Sequence, residues 1–100
     1  MKRDFNPTHP GEILLEEFLN PMGIKLNQLA GDISVSPRQI YEIINFKKGI
    51  NADMALRLAR YFRMSVDFWT GIQIHYETEM AKMALGDRLD KEVKVYAPAA

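Results

Sequence analysis

The segment LNQLAGDISVSPRQIYEIINFKKGI, residues 26–50, carries the pattern from which the fold of this chain is predicted. Its apolar residues recur at spacings of three and four on both sides of a short polar break, which predicts two short helices, at 26–33 and 37–45. Ser36 followed by Pro37 marks the start of the second helix, because a serine hydroxyl accepts from unpaired backbone amides and proline needs no donor in the first turn. A connection of about three residues forces the two helices to cross steeply.

The second of these helices has an apolar side and a polar side. Ile40 and Ile43 lie on the side that we expect to contact the first helix, where Ala30 is small enough to allow close approach. With that side buried, the polar side protrudes, and a helix-turn-helix of this kind fits the major groove of DNA. The candidate DNA-binding residues are Asn27, Gln28, Ser36, Arg38, Gln39, Tyr41, Glu42, Asn45, Lys47 and Lys48.

Several candidate DNA-binding residues have a structural alternative. Arg38 either pairs with guanine or forms an ion pair with Glu42, one helical turn later. Glu42 in turn either accepts a hydrogen bond from cytosine or only orients Arg38. Asn27 and Gln28, near the start of the preceding helix, are candidates for phosphate contacts.

The charge of the chain is zero overall but uneven along its length. Residues 1–24 and 64–100 each carry a net charge of −2, and residues 25–63 carry +4. A basic middle between acidic ends indicates one face that attracts anions. Lys47 and Lys48, just after the second helix, are therefore expected to contact phosphates, and a solvated loop is the alternative.

Three more helices are predicted outside this stretch, which makes the fold class an all-α bundle of five short helices. The first lies within residues 8–23, with Thr8 or His9 as its cap. Asn51 and Ser65 predict the caps of the fourth and fifth helices. A length of 100 residues predicts one domain, and no internal repeat is present.

The end of the chain has a weaker pattern. The segment EVKVYA, residues 92–97, alternates like a short strand, and an unstructured tail is the alternative. We expect a helix-turn-helix domain over residues 1–82, with a flexible start at 1–7, and a C-terminal extension over 83–100.

The last predicted helix carries more aromatic and apolar residues than a bundle of this size buries. Trp69 is by default a core residue, since large aromatics dominate small cores. The stripe that it forms with Ile72 and Tyr76 also has the width and chemistry of a dimer seam. The candidate dimer-interface residues are Phe68, Trp69, Ile72 and Tyr76.

The composition argues against several other kinds of protein. The chain has no cysteine, and its two histidines, His9 and His75, stand apart, so neither a disulfide nor a metal site is expected. No nucleophile with a nearby base and no glycine-rich phosphate loop is present, so we expect neither an enzyme nor a cofactor. No apolar stretch reaches the roughly 18 residues of a membrane span, which makes a cytoplasmic protein the expectation.

Four blocks of sequence carry a family resemblance. They are HPGEILLEEFL (9–19), LNQLAGDISVS (26–36), INADMALRLARYF (50–62) and FWTGIQIHYE (68–77). Taken in this order, and with the tryptophan that follows ARYF, they resemble the HigA/VapI-type antitoxins of bacterial toxin–antitoxin modules. These antitoxins are members of the XRE, or phage-repressor-like, helix-turn-helix family.

This resemblance implies a lambda-repressor-like fold and a homodimer that binds and represses a palindromic operator in its own promoter. It further implies a type II antitoxin that binds and neutralises a small mRNA-cleaving RNase toxin. The homodimer, the operator and the toxin follow from the resemblance alone, since the periodicity of the sequence predicts none of them.

The chain departs from the family pattern at three positions. Ser34 and Phe46 stand where the family usually has glycine. Tyr41 replaces a usually small residue on the polar side of the second helix. Serine in a left-handed conformation costs about 1–2 kcal/mol unless the turn adjusts. Asn45 is an alternative to Phe46 for the left-handed position, which would end the second helix one residue early and move the two lysines that follow.

Two other functions remain compatible with the sequence. One is a solitary XRE-type transcriptional regulator without a toxin partner. The other is a protein-interaction module that has kept the fold and lost DNA binding, which the three departures and the zero net charge make conceivable.

Overall fold

The computed structural model describes residues 7–99 as an assembly of six helices. Helix α1 covers residues 10–22, with an α-helical start (Pro10–Ile13), a π-helical turn (Leu14–Leu19) and an α-helical end (Asn20–Met22). The later helices are α2 (Leu26–Asp32), α3 (Pro37–Ile44), α4 (Ala52–Phe62), α5 (Val66–Leu85) and α6 (Arg88–Glu92). The predicted all-α fold is confirmed, and α6 follows the five predicted helices. Of the predicted flexible start, residues 1–7, only Pro7 lies within the described residues.

Polar side chains cap four helices at predicted positions. The Nδ1 atom of His9 accepts a hydrogen bond from the Gly11 N–H over 2.8 Å, so His9 caps α1. Ser36, Asn51 and Ser65 accept backbone N–H groups at the starts of α3, α4 and α5. Each cap satisfies a donor that has no partner inside its helix, which explains why these helices begin where they do.

Four helices end in the same left-handed motif. Its positive φ angles are 66° at Gly23, 60° at Ser34, 64° at Phe46 and 57° at Arg63. The next residue then donates its N–H back into the last turn, as Val35 does to the Ala30 carbonyl over 3.0 Å. The alternative in which Asn45 takes this position is wrong, because Asn45 has a φ of −104° and Phe46 adopts the left-handed conformation.

The core lies where α1 to α5 meet. Its fully buried side chains include Leu14 of α1, Leu29 of α2, Ile40 of α3, Leu58 of α4 and Trp69 of α5. Each comes from a different helix, so burial of these side chains holds all five together. Aromatic rings surround Trp69, whose centroid lies 4.9 Å from that of Phe18, 5.0 Å from that of Phe68 and 5.9 Å from that of Phe62.

The burial of Trp69 corrects one prediction. Its side chain has 0% exposure in the single chain, so it leaves no surface for a second subunit, and its place among the dimer-interface residues is wrong. Its default assignment to the core is the correct one. Among residues 7–99, the indole N–H has no hydrogen-bond partner, and its neighbours in the core are aromatic and aliphatic side chains.

The second half of α5 extends beyond the core. Met80 and Met83 continue the apolar stripe of Ile72 and Tyr76 but are 41% and 54% exposed. After α6, residues 93–99 have no regular structure, so the strand considered for residues 92–97 is wrong and the tail alternative is correct.

Candidate nucleic-acid interface

The recognition helix candidate, α3, is fixed from its apolar side. Ile40 and Ile43 are 0% and 3% exposed and contact the core cluster that includes Leu29 and Ala30 of α2. At Gly11 of α1, a Cβ atom would overlap the carbonyl oxygen of Ile43, so the backbones of α1 and α3 approach to a distance that only glycine allows. The polar side of α3 is therefore presented to solvent on a rigid base.

Ser36 and Gln39 form a capping box at the start of α3. The Ser36 hydroxyl accepts from the Gln39 N–H over 3.3 Å, and the Gln39 Oε1 accepts from the Ser36 N–H over 3.0 Å. Both side chains are exposed. Gln39 keeps its two amide N–H donors for another partner, since the cap uses only its oxygen.

Glu42 lies between two cations on the outer face of α3. Its carboxylate accepts from the Arg38 Nε over 3.1 Å and lies 3.7 Å from the Lys48 Nζ. The hydrogen bond from Arg38 lowers the pKa of the Glu42 carboxyl, against the opposing effect of burial, so Glu42 is an anion at neutral pH. The Arg38 and Lys48 side chains are 84% and 70% exposed, whereas that of Glu42 is 17% exposed.

A groove of about 620 Å³ runs along the same face. It is lined by Leu26, Pro37, Arg38, Tyr41, Glu42 and Lys47. The Lys47 Nζ lies 5.6 Å from the centroid of the Tyr41 ring, which is the range of a cation–π contact. The structure therefore brings four of the predicted residues together around one concave, mixed polar and apolar surface.

The other predicted residues are not among those that line this groove. The Asn45 amide donates to the Tyr41 carbonyl over 2.9 Å at the end of α3, which leaves its side-chain oxygen as an acceptor. Asn27 and Gln28 are exposed on α2 and do not line the groove. In a helix-turn-helix, the first helix crosses the DNA backbone, so exposed polar residues on that helix are candidates for phosphate contacts.

The loop after α3 contacts the cap of α1, and it contacts α5 both through that cap and directly. The ring of Phe46 stacks on His9 with 4.8 Å between centroids, and His9 in turn meets the edge of Tyr76 on α5 at 4.8 Å. The Ile50 N–H donates to the Gln73 Oε1 over 2.7 Å. These contacts fix the segment that carries Lys47, and the sequence pattern alone did not indicate them.

The turn between α2 and α3 has a further neighbour that the pattern missed. Arg57 of α4 donates through Nη1 to the carbonyl oxygens of Ile33 and Ser34, over 2.7 and 3.4 Å. Its Nε contacts the Asp53 carboxylate over 2.6 Å. Only the spacing of the Asp53–Arg57 pair, four residues apart, was visible in the sequence.

The remaining candidates for a dimer seam keep some exposed surface. Phe68 is 36% exposed, and Ile72 and Tyr76 are partly buried. All three lie on α5, whose exposed continuation carries Met80 and Met83. Over the residues that the structure describes, no helix combines the length and hydrophobicity that a bilayer-spanning segment needs.

Comparison with protein families agrees with this geometry. The family model described as Helix-turn-helix (HTH_3) matches residues 15–69. Virulence-associated protein I of Dichelobacter nodosus is 46% identical over 81 residues, which cover 81% of this chain and 75% of that protein. Antitoxin HigA-1 of Vibrio cholerae is 36% identical over 67 residues, which cover 67% of this chain and 63% of that protein.

Solved structures include close matches to the whole fold. Antitoxin HigA of Pseudomonas aeruginosa, solved with the higBA promoter, has a TM-score of 0.87 at 39% identity, over 92% of this chain and 100% of that chain. Antitoxin GraA in complex with its operator has a TM-score of 0.87 at 33% identity, over 98% of this chain and 99% of that chain. This chain belongs to the XRE-type helix-turn-helix family, in the group that contains HigA antitoxins and Virulence-associated protein I.

Proposed function

We propose that this protein is a DNA-binding antitoxin that represses its own promoter as a homodimer. The observation that carries the proposal is the exposed polar face of α3, held outward by Ile40 and Ile43, with Arg38 at its edge. A helix fixed in this way fits the major groove, and its N-terminal residues reach base edges. Relatives of the same fold have been solved with promoter or operator DNA, which supports a DNA partner here.

The proposed operator is palindromic, because a twofold dimer presents two copies of α3. Two recognition helices would enter successive major grooves about 34 Å apart. The seam of this proposed dimer runs along α5, from Phe68 through Ile72 and Tyr76 to the exposed Met80 and Met83. An apolar stripe that begins in the core and continues beyond it supports a second subunit as its cover.

The experiment for DNA binding is a gel-retardation and footprinting assay with the region upstream of the protein's own gene. Retardation at a palindromic site, and none on a scrambled duplex of equal length, is the expected result. Equal retardation of both duplexes, or of neither, would contradict operator binding.

The second half of the proposal is a toxin partner, a small mRNA-cleaving RNase. The name of the relative Antitoxin HigA-1 supports a toxin partner, and the RNase activity of that toxin is what the family resemblance implies. Coexpression of the adjacent gene product with and without this protein tests it by growth rescue and copurification. Unrelieved toxicity, or two proteins that separate on purification, would rule out that product as the partner.

A solitary transcriptional regulator is the second candidate. A relative described as the uncharacterized HTH-type transcriptional regulator YbaQ, from Escherichia coli, is 42% identical over 67 residues, which cover 67% of this chain and 59% of that protein. Operator binding without a toxic neighbouring gene would favour this candidate. The third candidate, an interaction module without DNA binding, has less support. Helices α2 and α3 both end in the left-handed motif, although Ser34 and Phe46 stand where the family usually has glycine.

A further inference from the structure

The turn of the helix-turn-helix contains a residue in an unfavourable conformation. Ser34 has a φ of 60°, a region in which residues other than glycine are rare. Its N–H donates to the Gly31 carbonyl over 3.3 Å, and the Val35 N–H donates to the Ala30 carbonyl over 3.0 Å. This turn connects α2 to α3, so a loss of its left-handed conformation would change the angle at which α3 leaves α2, even though Ile40 and Ile43 anchor the apolar side of α3.

A single arginine from another helix holds this turn. Arg57 places Nη1 2.7 Å from the Ile33 carbonyl oxygen and 3.4 Å from that of Ser34, so both carbonyls around the strained residue have the same donor. Asp53 fixes the guanidinium from its other edge, through a 2.6 Å contact with Nε. A cation at the C-terminal end of α2 also interacts favourably with the helix dipole.

We propose that Arg57 is a positioning residue for DNA recognition, which holds the Ser34 turn in its left-handed conformation and thereby sets the orientation of α3. This inference rests on the proposed operator binding and assigns Arg57 no contact with DNA. Without Arg57, the turn populates other conformations, and only the fraction with α3 in place binds the operator.

The first test compares operator affinity in Arg57→Met with that in Arg60→Met. Both changes remove one arginine from α4, and within residues 7–99 the arginine hydrogen bonds to the carbonyls of Ile33 and Ser34 come from Arg57. At a temperature where all variants are folded, Arg57→Met should bind about tenfold more weakly per half-site, and Arg60→Met should bind as the wild type does. Equal weakening by both changes would overturn the inference in favour of a charge effect.

Salt dependence separates positioning from direct contact. A lost phosphate contact reduces the slope of log affinity against log salt by about one, whereas a misplaced α3 that keeps its own contacts leaves the slope unchanged. We expect the slope of Arg57→Met to equal that of the wild type. A slope reduced by about one would overturn the positioning role.

Rescue by glycine tests the turn itself. Glycine adopts positive φ without steric strain, so Ser34→Gly should restore most of the affinity that Arg57→Met loses. The Val35 amide, followed by hydrogen exchange without DNA, should exchange about tenfold faster in Arg57→Met and return toward the wild-type rate in the double variant. Unchanged Val35 exchange, or no rescue by Ser34→Gly, would overturn the inference.

The two levels of the proposal fail differently. Absence of operator binding by the wild type overturns the proposed function and, with it, the role of Arg57 in recognition. Operator binding by the wild type with equal binding by Arg57→Met leaves the proposed function intact and overturns only the role of Arg57.

Discussion

Arg38 and Glu42 are joined across one turn of α3 by a hydrogen bond of 3.1 Å from Nε to Oε2. The Glu42 side chain is 17% exposed and that of Arg38 is 84% exposed, so Glu42 is the fixed partner and Arg38 is the one that is presented. The two roles suggested for Arg38 are therefore compatible, since this bond uses only Nε and leaves the terminal nitrogens for a base.

Arg38→Ala should relax sequence preference. We expect discrimination between the operator and a duplex with substituted guanines to fall by about 1–3 kcal/mol, because the proposed bidentate arginine–guanine contact would be lost. Competition binding measures it. Arg38→Lys is the matched control, since it keeps the charge but lacks the fork and should also lose discrimination. Unchanged specificity in Arg38→Ala would remove Arg38 from base recognition.

Lys47→Ala should weaken binding to all DNA sequences alike. Loss of the proposed phosphate contact would reduce the slope of log affinity against log salt by about one, without a change in preference between duplexes. Lys82→Ala is the control, because Lys82 is an exposed lysine on α5, 3.2 Å from Glu79. A sequence-dependent loss in Lys47→Ala would indicate a base contact, and an equal loss in both variants would indicate only general charge.

Met83→Glu should weaken the proposed homodimer. A carboxylate on the exposed stripe of α5 would be buried without a partner at the seam, so the dissociation constant should rise at least about tenfold. Sedimentation equilibrium measures it. Ala81→Glu adds the same charge at an exposed position on the opposite side of α5 and should leave the dimer intact. Identical behaviour of the two variants would place the seam elsewhere.

The free energy of unfolding should decrease when the solution is acidified, and protonation of His9 should contribute to this decrease. Burial lowers the pKa of this histidine below its ordinary value of 6.5, and its Nδ1 accepts from the Gly11 N–H, which requires the neutral ring. The unfolded chain therefore takes up a proton more readily than the folded one. The contribution of His9 to the free energy of unfolding should be constant above pH 6.5. It should decrease as the pH falls from 6.5 toward the lower pKa that His9 has in the folded protein.

His9→Asn is the matched variant for this measurement. Asparagine also caps helix N-termini but does not titrate, so this part of the pH dependence should disappear. Urea unfolding across pH measures both proteins. The same dependence in His9→Asn would assign it to other groups.

Arg63→Gly should stabilise the fold. Arg63 has a φ of 57° at the end of α4, and glycine removes a strain of about 1 kcal/mol at such a position. Arg60→Gly makes the same substitution inside α4 and should destabilise by about 1 kcal/mol. Thermal or urea unfolding checks both values. A destabilised Arg63→Gly would mean that the arginine side chain contributes more than its backbone conformation costs.

The local features of this chain were accessible from its sequence. Caps at Ser36, Asn51 and Ser65 depend on hydrogen bonds within three residues, and the spacing of Ile40 and Ile43 fixes which side of α3 is buried. For that reason the helix-turn-helix and the outward face of α3 followed from periodicity and capping alone.

Contacts between distant parts of the chain form only in the folded protein and were not predictable from the sequence. Phe46 rather than Asn45 becomes left-handed, and its ring stacks on that of His9, the residue that caps α1. The support of the Ser34 turn comes from Arg57, 23 residues away. The starts of the helices and their apolar faces were predictable from the sequence, because they depend on neighbours along the chain. The strained turns and their partners depend on residues that meet only after folding.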